Sequence, residues 1–252
     1  LPVQTYNTKG NWNELDLIKR ARNEIKREGV TIRETPVDQL DAARLSDVSA
    51  RWISSKKVND REIWIYARRP VFSEEQGVRK FVAHDKHGEP VGFAFYDPMY
   101  RAGRVEGYAA NIVRCDEARY GKLATAMHMH AMETWKSEGV QTLNLMLCPF
   151  VKLGTGRFND DRMVRAFLDL SARYGNDIYN FQGLAFHKSK YRGVESPVYF
   201  ASNRIVANND IYLAFLASDI ARSYFGTVGK LVAGILKAPF TKNGSPRRDP
   251  TT

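Results

Sequence analysis

The sequence predicts a mixed α/β fold, a mostly antiparallel sheet flanked by helices on both faces. Three observations carry that prediction. From Thr31 onward the hydrophobic patterns run strand, helix, three strands, helix, strand, helix and then further strands. Arg79–Asp85 and Pro90–Tyr96 read as strands, and Lys86-His87-Gly88-Glu89 between them has the composition of a hairpin loop. With 252 residues, 43% of them hydrophobic, the chain can bury a core as one large or two small domains.

Taken in order, residues 1–12 are polar, carry Gly10, and read as an arm or linker. Over 13–28, Leu15, Ile18, Ala21 and Ile25 recur at helical spacing, and Gly29 stops the run. The other face carries Lys19, Arg20, Arg22, Lys26 and Arg27, a solvated basic face or a nucleic-acid contact. Thr31–Glu34 is a short strand. Pro36 sits at a helix start, and Leu40, Leu45, Val48 and Trp52 carry that helix to near Lys56. Residues 57–78 form a basic connection anchored by Trp64, Tyr66 and Phe72, which shapes a substrate loop or caps the core.

After the hairpin, Arg104–Arg114 is a strand, Glu117–Glu138 a helix closed by Gly139, and Gln141–Cys148 a leucine-rich strand. Residues 208–238 hold the last long helical pattern, with a break expected near Gly226. It reads as a helix packed on the sheet or, because Lys230 and Lys237 accompany bulky apolar residues, as an interfacial membrane helix. Residues 241–252 read as a disordered basic tail. The expected division is an arm and basic helix over 1–29, the sheet domain over 30–206, the amphipathic helix over 207–240, and the tail.

The formal net charge is +10, with a sequence pI near 9.6. That excess favours acidic partners: tRNA, an anionic lipid, or a phosphorylated cofactor. Cys115 and Cys148 are the only cysteines and lack metal-ligand spacing, which fits a reducing cytosol and two buried small hydrophobes. No stretch approaches the ~18 uncharged apolar residues that cross a bilayer. The chain begins at Leu1, and no signal-peptide pattern follows. His128 and His130, at i and i+2 in a helix, point in different directions, so no metal-ligand set is read, and Met127, Met129 and Met132 read as core.

Residues 178–191 carry the chemistry. They begin apolar and aromatic, turn at Gln182-Gly183, and present Lys188 and Lys190 two positions apart. If the second half is extended, alternation puts both lysines on one face and turns His187 away from them. Two adjacent ammonium groups repel, so such a pair awaits an anion, or else it protects a solvated sheet edge.

Tyr179-Asn180-Phe181-Gln182-Gly183-Leu184, then Lys188-x-Lys190-Tyr191 and Pro197-x-Tyr199, resembles the end of the C-terminal catalytic domain of phosphatidylglycerol lysyltransferases. The likeness extends through Arg79–Phe95, Arg104–Arg114 and Leu143–Phe150, covering most of residues 13–205. It implies a GNAT-like acyltransferase fold, consistent with the element order, and aminoacyl-tRNA as acyl donor to a lipid. No bound cofactor is implied. An activated ester is already supplied, so the protein need only place a hydroxyl or amine near the carbonyl and stabilise the oxyanion.

By that resemblance Lys188, Lys190 and Arg114 are the expected catalytic cations. Tyr179, Gln182, Tyr191, Pro149 and Phe150 are expected to border the substrate, although aromatic core is the default for the two tyrosines. The family typically shows Asp-Leu-Met-Arg where this chain has Asn111-Ile112-Val113-Arg114. Asn111 keeps the shape of an aspartate but neither its charge nor its basicity. Asp116 is the nearest substitute in sequence, and Ala185 replaces a frequent arginine.

The coenzyme A loop of GNAT enzymes, Gln/Arg-x-x-Gly-x-Gly/Ala, is degenerate here as Ala118-Arg119-Tyr120-Gly121-Lys122-Leu123, which disfavours acetyl-CoA. A CoA-dependent N-acyltransferase and a non-catalytic module binding RNA or anionic membrane remain as rival readings. The family's catalytic region has two such lobes, so the chain is expected to hold the second one, without the multi-spanning membrane part. The expected setting is cytoplasmic, peripheral on the inner face of the plasma membrane, with pairing into a homodimer open to a lone lobe.

Overall fold

The computed structural model describes residues 1–6, 16–56, 68–153, 162–175, 178–199, 208–218 and 223–237. The chain divides into two compact units, Leu1–Cys148 with Leu184–Phe200, and Pro149–Gly183 with Ala201–Thr252.

In the first unit the order is α1 (Asp16–Arg27), β1 (Thr31–Glu34), a 3-10 turn (Val37–Gln39), α2 (Ala42–Ser54), β2 (Arg79–His84), β3 (Pro90–Arg101), β4 (Arg104–Cys115), α3 (Leu123–Lys136) and β5 (Thr142–Asn144). The strands lie in sequence order in one sheet. The first three pairings are antiparallel and β4–β5 is parallel. This is the mixed, mostly antiparallel sheet flanked by helices that the sequence predicts.

Strand alternation sorts the side chains onto two faces. Val82, Phe93, Phe95 and Ile112 meet Leu45 and Val48 of α2. Phe81, Ala94, Tyr96 and Cys115 meet Leu123, Met127 and Trp135 of α3. Trp135 anchors that side, with Phe81 and Tyr96 edge-on to it and Tyr108 stacked. The apolar stripe of α1, Ile18, Ala21 and Ile25, is buried, and α1 packs against α3.

Several boundaries move for local reasons. The helix expected from Pro36 starts at Ala42, because the Asp41 carboxylate accepts the Arg44 amide and caps it there. The helix expected from Glu117 starts at Leu123, since Asp116 ties residues 116–120 into a turn through the Arg119 and Tyr120 amides. The strand expected to reach Cys148 ends at Asn144, whose side chain accepts the Met146 amide at 2.7 Å while Met146 takes φ +64°. Residues 1–6 are no free arm: Val3 donates to Gln141 and Leu143 donates to Leu1, so the segment pairs along β5.

In the second unit, α4 (Arg162–Tyr174), α6 (Asn208–Ala217) and α7 (Tyr224–Lys237) are helices, and α4 contacts both of the others. The long helix expected over 208–238 is thus two helices. It breaks before Gly226, where the Ser223 hydroxyl accepts the Gly226 amide and caps α7. The 241–252 tail lies outside the described residues.

The main correction concerns residues 181–189. They form a helix, α5 (Phe181–Ser189), with neither the turn at Gln182-Gly183 nor the strand expected after it. Asn180 Oδ1 accepts the Gly183 amide at 2.9 Å, which satisfies an otherwise orphan donor of the first turn.

Candidate functional site

Lys188 lies in the last turn of α5 and Lys190 just after its end at Ser189, so their separation is set by a helix terminus rather than by alternation. Lys188 Nζ donates to the Leu147 carbonyl at 2.6 Å. Lys190 Nζ donates to Thr125 Oγ1, in the first turn of α3, at 2.6 Å. Burial lowers both ammonium pKa values, that of Lys190 to about 8. An amine near that value can exchange a proton close to neutral pH.

His187 does not turn away as alternation would require. Its ring lies 5.6 Å from Tyr191 and 6.3 Å from His128. Burial, then the positive charges of Lys190 and Lys188, depress its pKa to about 4. His128 is fully enclosed and depressed to about 3 by burial, then by His187 and the two lysines. Both rings are therefore neutral at physiological pH. Tyr96 Oη and His128 Nδ1 are 3.0 Å apart. His130 packs instead on Phe81, so the two α3 histidines do diverge.

The α3 side of the sheet thus carries two half-buried amines beside two neutral imidazoles. Tyr191 closes this group from within. It is fully buried, and its carbonyl accepts the Tyr6 hydroxyl at 3.2 Å. That makes it a wall of the site rather than an open contact.

Arg114 and Asn111 face the other way. Arg114 is 4% exposed, and its guanidinium sits 3.8 Å from the centre of the Trp52 ring of α2. Trp52 Nε1 donates to Glu117, which also pairs with Lys56 at 2.9 Å, and Lys56 Nζ lies 4.0 Å from the same ring. Sequence reasoning missed Trp52, Lys56 and Glu117, whose linkage depends on the end of β4 meeting the end of α2. Glu117 connects the two sides electrostatically, since its charge partly offsets the lysines at His187.

Asn111 is the extra residue of a β-bulge: Phe95 pairs with Ile112 and Tyr96 with Ala110, leaving Asn111 unmatched. Its amide donates to Asp97, and its Oδ1 accepts the Arg68 amide at 3.3 Å. Arg68 pairs with Asp97 at 2.7 Å and with Glu75 at 2.7 Å, and Glu75 pairs with buried Lys80 at 2.9 Å. Asp116 is not part of this network. It sits five residues further along, about 16 Å of strand away, in the turn before α3.

Pro149, Phe150, Tyr179 and Gln182 belong to the second unit. There Phe150 and Tyr179 flank Phe181, at ring distances of 4.7 and 5.0 Å. Gln182 lies exposed in the first turn of α5.

The family described as Phosphatidylglycerol lysyltransferase, C-terminal matches residues 2–202. No curated protein matches the chain. Among solved structures, L-PGS from Bacillus licheniformis is 22% identical with a TM-score of 0.62, covering 88% of this chain and 64% of its own. The C-terminal domain (DUF2156) of a candidate lysylphosphatidylglycerol synthetase from Agrobacterium fabrum is 18% identical with a TM-score of 0.62, covering 89% and 65%. The chain therefore spans just under two thirds of each, and these likenesses carry the fold.

Proposed function

The chain belongs to the phosphatidylglycerol lysyltransferase C-terminal family, and from that premise we propose that it moves an aminoacyl group from aminoacyl-tRNA to the hydroxyl of an anionic lipid such as phosphatidylglycerol. The observation that supports this most is the Lys188–Lys190 pair, two half-buried amines beside two neutral histidines.

In this reading the neutral amine of Lys190 takes the proton of the acceptor hydroxyl as its oxygen attacks the ester carbonyl carbon. The bond from that carbon to the ribose oxygen then breaks, and the same proton passes to the ribose oxygen as it leaves. Lys188 keeps its charge and stabilises the oxyanion. Thr125 holds the Lys190 amine in place. Arg114, buried on Trp52, secures the end of β4 in this reading.

The test supplies labelled aminoacyl-tRNA and phosphatidylglycerol vesicles and follows label into the organic phase. Lys190→Ala is expected to lower transfer about 100-fold or more, the scale of a lost general base. Intact tRNA ester with no label in lipid, for the unaltered protein and every amino acid tried, overturns the reading.

A further inference from the structure

Helix α7 carries an apolar surface that is exposed among the described residues. Phe225, Val228, Val232, Ile235 and Leu236 are 87, 41, 48, 41 and 65% exposed. At 100° per residue these five positions fall within one stripe about 100° wide. Lys230 projects about 160° from Val232 around the same helix, away from that stripe. A surface helix of a water-soluble protein normally turns such a stripe inward. At 14 residues, α7 is also too short to cross a bilayer, and no helix among the described residues is long and apolar enough to do so.

Charge selects the occupant. The protein carries a formal +10. The sequence from Lys237 to the end holds Lys237, Lys242, Arg247 and Arg248 against the single acid Asp249. A narrow apolar stripe with cations on and after the same helix suits a surface that is apolar a few ångströms down and anionic on top.

We propose that α7 lies in the plane of an anionic bilayer surface, with Phe225, Val228, Val232, Ile235 and Leu236 sunk into the interface. The proposal rests on the lipid-acceptor reading, to which it adds the surface that brings the protein to its substrate. Association through α7 needs no turnover, so the two can fail separately.

Sedimentation with phosphatidylglycerol vesicles, and with neutral phosphatidylcholine vesicles for comparison, tests it. The unaltered protein is expected to sediment with the anionic vesicles at least tenfold more tightly, and Val232→Glu to weaken that binding about tenfold. Lys190→Ala should bind as the unaltered protein does, even where it transfers no label. Phe225→Trp, which keeps a large apolar side chain on the stripe, adds an indole whose emission should be quenched by brominated acyl chains. Equal binding of Val232→Glu, an unquenched added indole, or equal affinity for both vesicle types overturns the proposal. So does a lipid-free dimer that Val232→Glu converts to monomer, since the stripe would then cover a second copy.

Discussion

The side-chain amide of Asn111 donates to the carboxylate of Asp97 across a β-bulge, so a neutral residue at this position is built into an ionic network. An aspartate there would set a second carboxylate in contact with the first. Asn111→Asp is expected to destabilise the fold by about 1–3 kcal/mol at pH 8. The introduced carboxyl would titrate above its unfolded value, so the loss should shrink as pH falls toward about 5. Urea denaturation at the two pH values checks this, and equal stability at pH 8 would show that Arg68 neutralises both carboxylates.

In the proposed reaction Lys190 would give transfer a defined pH profile. Its folded pKa of about 8 lies below the ordinary 10.5, so transfer should rise toward pH 8 and then level. The unfolded chain binds more protons between these two values, so this residue makes stability rise with pH across the same window. Lys190→Arg stays charged throughout and should leave a low, flat profile. A variant profile that still rises toward pH 8 would assign the base elsewhere.

Tyr96→Phe keeps the ring that packs edge-on against Phe81 and Trp135 but removes the hydroxyl facing His128. Stability should fall by about 1–3 kcal/mol at pH 7, the cost of one buried polar atom left without its partner. The His128 pKa of about 3 lies below the ordinary 6.5, so that residue makes the unaltered protein lose stability as pH falls from about 6.5 toward 3. Denaturant midpoints over that range read both effects.

Gly107 sits where β4 pairs with β5, and a Cβ there would lie 2.3 Å from the Thr142 carbonyl oxygen. Backbone cannot yield as a side-chain tip can. Gly107→Ala should therefore cost about 1–3 kcal/mol or more, visible as a lower melting temperature. An unchanged value would mean that β5 shifts freely.

The sheet was legible in the sequence because hydrophobic alternation over Arg79–Arg114 is long and the Lys86–Glu89 loop leaves one pairing. The lysines were legible as a pair, but not in their setting. Spacing of two suggested a strand, whereas Asn180 immediately before Phe181 was a usable N-cap signal that outweighs so short an alternation. The Asp97–Arg68–Asn111 network had no local signal. Its members lie 14 and 29 positions from Asp97, and a bulge that redirects one side chain leaves no mark in composition. Trp52 read as one more apolar helix position, and its cationic neighbours come from beyond the helix end and from β4.

The Tyr6 hydroxyl reaches the Tyr191 carbonyl across 185 positions of chain, and the first compact unit is completed only by residues 184–200. During synthesis the sheet and α3 can form long before that return segment emerges. Thr125 would then wait on a folded surface for an amine 65 positions away. Docking of Lys188, Lys190 and Tyr191 would then be the step that closes the first unit. A nascent chain would thus hold no paired amines until the sheet and α3 of that unit are in place, and a slow phase that completes the first unit should coincide with the onset of any transfer.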